Sequence, residues 1–217
     1  MALQPRLPDR DCPLCPRLAG FRADNRAAFP DFHNAPVDPW GPLDAPILVV
    51  GLAPGLRGAN RTGRPFTGDY AGDLLYATLL DFGLARGSYG RDPGDGMELT
   101  GVRITNAVKC VPPENKPVGA EIKACKPFLV SELKAMPKLE AILALGLIAH
   151  NATLSALGLK ASAAKFGHAA RHDLGPGLPR LFDSYHCSRY NVNTNRLTAE
   201  MFRAVVATLP EARPVEP

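Results

Sequence analysis

The sequence predicts an α/β fold, a three-layer α/β/α sandwich around a small parallel sheet of four strands. Three observations predict it. Four short apolar runs, at residues 46–50, 102–108, 141–145 and 180–185, are mostly rich in Val, Ile and Leu and are bounded by loop signals. Runs of that length and composition read as buried strands. Segments with helical spacing separate them, and connections this long pair the strands in parallel through right-handed crossovers.

Taken in order, the chain opens with a polar, proline-broken stretch, residues 1–10, which is expected to be a loosely attached end, as is 211–217. No basic-then-apolar signal segment is present there, so the expected location is intracellular, reducing and cytoplasmic, nucleoid-associated in a prokaryote. The longest apolar run, residues 141–149, is about half a membrane span, and no membrane partner is expected. After the first strand comes GLAPGLRGANRTGRPFTGDYAG, residues 51–72. Its Gly58 and Gly63 have P-loop spacing, but Arg64 and Pro65 stand where the lysine and Ser/Thr of that loop belong. A helix is predicted over 70–82, with Leu74, Leu75, Leu79 and Phe82 at helical spacing. Asp69, just before it, reads first as a helix N-cap. Phe66 reads first as core, and Arg57, Arg61 and Arg64 as either a solvated basic rim or phosphate contacts. A second helix over 120–136 contains Pro127, which predicts a kink or a fresh start there. Helices over 147–157 and 197–209 complete the pattern, and the 217 residues make one domain.

In sheets of this kind ligands bind beyond the carboxyl ends of the strands, which directs attention to the segments beginning at Gly51, Asn106 and His186. Lysine and arginine exceed the acids by only 4, which permits a polyanionic partner without demanding one. Five cysteines in a chain with no secretory signature point away from disulfides. Cys12 and Cys15 form a C-x2-C pair, and Cys110 and Cys125 form a second pair with 14 residues between them. Four thiolates suit tetrahedral zinc or a [4Fe-4S] cluster, and spacing does not choose between these. Buried, inert thiols at 110 and 125 are the plainer alternative. His33, His150, His168 and His172 have no partners at metal spacing and receive no role. Trp40 is expected to pin the amino-terminal arm to the core.

The segments GLAPG with NRTGRPFTGD, TNAVKC with PPENKP, and HCSRYNVNTNRLT together resemble the iron-sulfur uracil-DNA glycosylases, most closely the type B, or family 5, branch. The resemblance spans residues 12 to about 202, in the right order. It implies a four-stranded parallel sheet between helices and an amino-terminal arm tied down by a structural [4Fe-4S] cluster on Cys12, Cys15, Cys110 and Cys125. It implies Asp69 and His186 as catalytic residues, with Gly51, Leu52, Ala53, Phe66 and Asn106 around the uracil. Phe66 would stack on the flipped base, and the Asn106 amide offers a donor and an acceptor to the uracil edge. The resemblance places Ser188, Arg189, Tyr190, Asn191, Asn193 and Arg196 in a loop against DNA, with Tyr190 or Val192 as the wedge. Arg61 and Arg64 join them as DNA contacts. Two departures stand in that loop, since the family usually has proline at Cys187 and glycine at Asn195; Asn still tolerates a left-handed backbone.

The expected activity is that of a monomeric, monofunctional DNA-repair glycosylase, which removes uracil from double-stranded DNA and leaves an abasic site. Two readings compete with it. One is a damage sensor that captures the base without hydrolysis, and the other is an Fe-S or zinc enzyme acting on free nucleotides.

Overall fold

The computed structural model describes residues 3–215. Its strands are β1 (Ile47–Gly51), β2 (Ala85–Arg86), β3 (Glu98–Leu99), β4 (Val102–Asn106), β5 (Ala141–Leu145), β6 (Arg171–His172) and β7 (Arg180–Ser184). The helices are α1 (Pro16–Ala28), α2 (Ala59–Thr62), α3 (Tyr70–Asp81), α4 (Gly119–Ala135), α5 (Leu147–Ala156), α6 (Arg189–Asn193) and α7 (Ala199–Val206).

The four expected strands form the parallel part of one sheet, in the order β4-β1-β5-β7. A fifth strand, β6, extends it antiparallel to β7. β1 and β5 are buried along their whole length, which is why they read as continuous apolar runs rather than alternating ones. Alternate side chains still serve different layers. Ile47, Val49, Leu143 and Leu145 face a core completed by α3 and α7, while Leu48, Val50, Ile142 and Ala144 face one completed by α4 and α5. A third, smaller core joins Leu18 of α1 to Val108, Cys110, Cys125 and Phe128.

Three local features bear on the site. Asp69 does cap α3, its side chain accepting from the Ala71 N–H. Helix α4 does not restart at Pro127 but continues through it. Its first turn is closed by Glu121, which accepts from the Val118 N–H at 2.8 Å and receives the Arg17 guanidinium at 2.7 and 2.9 Å. That fork ties α1 to α4. Trp40 pairs through its backbone with Ile104 of β4 and packs against the core, as expected. The carboxyl end is not loosely attached through residue 215: Ala212 is buried, and Arg213 and Val215 N–H groups donate to the carbonyls of Phe82 and Asp81. At the other end, Arg6 N–H donates to Ser131 Oγ. Positions 1, 2, 216 and 217 of the two predicted loose ends lie outside the described residues. Among the described residues no helix is long and apolar enough to cross a membrane.

Candidate active site

Residues from β1, β4 and the segment after β7 converge at the carboxyl end of the sheet. Gly51 is the register partner of Asn106. A β-carbon at position 51 would lie 2.4 Å from Asn106 Oδ1 and 2.5 Å from the Phe66 ring, so glycine is required for amide and ring to come together here. Phe66 itself adopts a left-handed backbone, φ 52°. The Tyr89 hydroxyl holds it there, donating to the Phe66 carbonyl at 3.2 Å and accepting from the Gly68 N–H at 3.2 Å. The Tyr76 hydroxyl donates to the carbonyl of Pro65. A strained aromatic pinned from both sides is a positioned one.

Ala53, Phe66, Asp69, Asn106 and His186 line one small cavity, together with Pro54 and Gly55. The Phe66 and His186 rings lie 6.0 Å apart and nearly parallel. Asp69 Oδ1 is engaged by the cap at 3.1 Å. Its Oδ2 packs toward Gly55 and Gly58, where added β-carbons would lie 2.8 and 2.1 Å away. Burial pushes the Asp69 carboxyl above its ordinary 3.8, against the pull of the Ala71 and Gly72 N–H groups. Burial also pushes the His186 imidazole down from 6.5 to about 4, so at neutral pH it is uncharged and offers one N–H. Leu52 does not line the cavity; its carbonyl accepts from the Val108 N–H and extends the β1–β4 pairing.

The expected DNA loop is partly helical. Ser188 caps α6 by accepting from the Asn191 N–H, and Asn191 Nδ2 donates to the His186 carbonyl at 2.8 Å. Loop and imidazole are therefore one unit. Asn195 adopts the left-handed backbone that its residue type allows, φ 55°. Tyr190 is 72% exposed, while Val192 is partly covered. Arg189 and Arg196 are exposed and lie over the rings of Tyr70 and Tyr185, and Asn193 is exposed between them. Cys187 is fully buried in the core against which α3 and α7 pack.

Arg64 corrects an expectation, for it is not a DNA contact. It is 5% exposed, forms two bonds to Asp95 at 2.8 and 2.7 Å, and sits over the rings of Trp40, Tyr76 and Tyr89. A guanidinium so enclosed braces the loop that presents Phe66. Arg61 stays partly exposed, its Nε donating to the Arg57 carbonyl. The residues missed from sequence are Gly58 and the hairpin pair Tyr89 and Asp95; Gly58 belongs to the glycine-rich stretch, but nothing marks Tyr89 or Asp95. The histidines given no role do have partners. Asp183 accepts from His150 at 2.8 Å and lies 2.9 Å from His172 Nε2, and His168 Nδ1 accepts from the Tyr185 N–H.

Cys12, Cys15, Cys110 and Cys125 meet in one pocket between the amino-terminal arm and α4, all with free thiols. No three of these sulfurs lie within 4.8 Å of one another. Burial pushes the Cys15 thiol up to about 11 and the Cys110 thiol up to about 12. Four soft donors collected from distant segments of the chain suit a thiolate-bound metal centre.

Fold and site together define an α/β enzyme with a small cavity at its strand ends, lined by a carboxylate, a neutral imidazole, an amide and an aromatic ring. A model of the uracil DNA glycosylase superfamily matches residues 39–210. The chain is 45% identical to a type-5 uracil-DNA glycosylase of Thermus thermophilus over 90% of each chain. It is 41% identical to one of Pyrobaculum aerophilum, over 90% of this chain and 86% of that one. A type-4 uracil-DNA glycosylase of Pyrobaculum aerophilum is 37% identical over about half of each chain. The chain belongs to the uracil-DNA glycosylase superfamily.

Proposed function

We propose that this chain is a DNA-repair hydrolase that flips uracil out of double-stranded DNA and cleaves its N-glycosidic bond, working as a single-domain monomer in the cytoplasm. The observation that carries this reading is the convergence of Asp69, Asn106, His186 and Phe66 in one cavity at the strand ends. The target base is out of reach inside the stack, so it must be extruded. Phe66 supplies a face for it, and the Asn106 amide pairs with uracil N3–H and O4. As the bond between C1′ and N1 breaks, its electron pair leaves with the base as a uracil anion and the sugar becomes oxocarbenium-like. The neutral His186 N–H donates toward uracil O2 and stabilises that anion. Asp69, in its ionised form, supports the cationic sugar and orients the water whose oxygen bonds to C1′ as one of its O–H bonds breaks, the released proton neutralising the uracil anion. Arg61 and the 188–196 segment, with Tyr190 as the wedge, hold the opened duplex.

Cys12, Cys15, Cys110 and Cys125 would hold a [4Fe-4S] cluster. Four thiols brought together from the amino-terminal arm, the segment after β4 and α4 support a thiolate-bound centre at this place. Such a cluster, when bound, ties the arm and α1 to the end of β4 and to α4.

The test is a labelled duplex with one U opposite G, incubated with the protein and then treated with alkali. Strand cleavage at the uracil is expected. Retention of the duplex without an abasic product would point to a damage sensor. Release of uracil from deoxyuridine or its phosphates, with no DNA requirement, would point to a free-nucleotide enzyme.

A further inference from the structure

Arg22 lies in α1, about two turns beyond Cys15, and is only 4% exposed. Its guanidinium donates to Cys110 Sγ at 3.5 Å and to the Cys12 carbonyl at 3.0 Å. Among the described residues no carboxylate pairs with it. The acids of this region are committed elsewhere, Asp11 to Arg26 and Glu121 to Arg17. The other buried cation here, Lys109, is paired with Glu132 through Nζ.

A guanidinium keeps its charge in a protein, and the groups bonded to this one are a thiol and a carbonyl, while Asp11, near enough to feel its charge, is bonded to Arg26. A buried cation with no bonded counter-ion is costly, and a negative charge on the sulfurs would offset that cost. Four thiolates on a dipositive cluster or a single dipositive metal leave a net charge of minus two. Two further features lean the same way. The Lys109 backbone N–H donates to Cys125 Sγ at 3.3 Å, and Cys15 is the N-cap of α1, so the positive end of that helix dipole begins at a ligand.

We propose that Arg22 is the charge-compensating residue of the metal centre on Cys12, Cys15, Cys110 and Cys125, and that it governs how firmly the centre is held and how readily it is oxidised. This rests on the reading of those cysteines as ligands.

The test compares wild type, R22Q and R22K, purified without oxygen, for iron, zinc and acid-labile sulfide per chain, and for the rate of metal release to a chromogenic chelator. Where iron is found, the loss of visible absorbance with ferricyanide is followed as well. R22Q is expected to release metal about tenfold faster than wild type, the usual scale for groups bonded to ligands, and to bleach faster, since removing a cation favours the oxidised state. R22K, which keeps the charge, is expected to stay within about threefold of wild type on the same scale. Release and bleaching by R22Q at the wild-type rate would overturn the proposal. So would an R22K protein as leaky as R22Q, because geometry and not charge would then be at work. Should R22Q fail to fold, the comparison of R22K with wild type decides on the same criterion. Metal identity in the wild type is read separately: zinc there would end the cluster assignment while release rates still judged Arg22, and wild-type protein that binds neither metal would overturn both.

Discussion

Asp69 carries two jobs on one carboxylate. Oδ1 is spent on the cap of α3, and Oδ2 lies in the space that Gly55 and Gly58 leave open. Asp69→Asn keeps a capping side chain and removes the charge, so single-turnover uracil release should fall at least about 100-fold while binding of uracil-containing duplex holds. Burial raises the Asp69 carboxyl, so the fold favours its protonated form and carries the ionised one at a cost. The same variant should therefore unfold at a temperature no lower than wild type, which a thermal melt checks. In the proposed mechanism the ionised form is the competent one, so the rate should decline as pH falls through a value above the ordinary 3.8, and D69N should lack that decline. Gly58→Ala puts a β-carbon 2.1 Å from Oδ2 and should depress single-turnover cleavage by about an order of magnitude or more, since an ångström of misplacement at a reacting group costs that much. Wild-type rates for G58A would show that Oδ2 is not held where the chemistry needs it. His186 sets a third expectation. With its imidazole pushed down to about 4 from 6.5, the rate should show no inflection near the ordinary value; one that disappears in His186→Asn would mean that the imidazole works as a cation.

The loop that carries Phe66 is held by an element the sequence does not announce. β2 and β3 are two residues each, too short for any period to register, and the segment between them is glycine- and aspartate-rich. From that hairpin come Asp95, which takes the Arg64 fork, and Tyr89, which pins Phe66. Asp95→Ala would leave the enclosed guanidinium unpaired, at a cost of about 3–5 kcal/mol, whereas Tyr89→Phe removes only one hydroxyl and should lower the cleavage rate with little loss of stability. Denaturant melts alongside single-turnover assays separate the two. β1 and β5 are legible because burial on both faces writes apolar runs, and α3 and α7 because their inner faces are largely apolar. Helix α1 is not, because its buried face is Leu18, Arg22 and Asn25, which is no apolar stripe. Arg64 misleads for the opposite reason, since a lone arginine in a glycine-rich loop looks solvated until three aromatic rings and an aspartate arrive from elsewhere in the chain. Phe66, Asp69, Asn106 and His186 can be named from sequence because three motifs carry them, but their shared cavity depends on Gly51 and Gly58 making room.

At the scale of the whole molecule the net charge of +4 is too small to draw DNA in from a distance. In the proposed reading grip comes from individually placed cations, and their exposure sorts them. Arg189 stands exposed at the start of α6 and Arg196 just beyond its end, each steadied over a tyrosine ring, and Arg61 is partly exposed on the glycine-rich loop. Arg64, closed in by aromatics, can release no counterion. Each phosphate contact contributes about 0.9 to the slope of log affinity against log salt. Arg189→Ala and Arg196→Ala should therefore each flatten that slope by about one, with cleavage at saturating protein nearly unchanged. Arg64→Ala should leave the slope alone and instead unfold more easily, because it empties the cage and strands Asp95. Tyr190→Ala removes the most exposed aromatic of the loop without removing charge. It should weaken binding at every salt concentration equally, and it should slow cleavage of uracil in a stable G·C-flanked duplex more than in single-stranded DNA, where no base needs prising from a stack. Titrations of a fluorescent uracil-containing duplex from about 50 to about 200 mM salt distinguish these patterns. A flattened slope for Arg64→Ala, or an unchanged one for Arg189→Ala and Arg196→Ala together, would mean that DNA lies across a different face of the sheet from the one the cavity opens on.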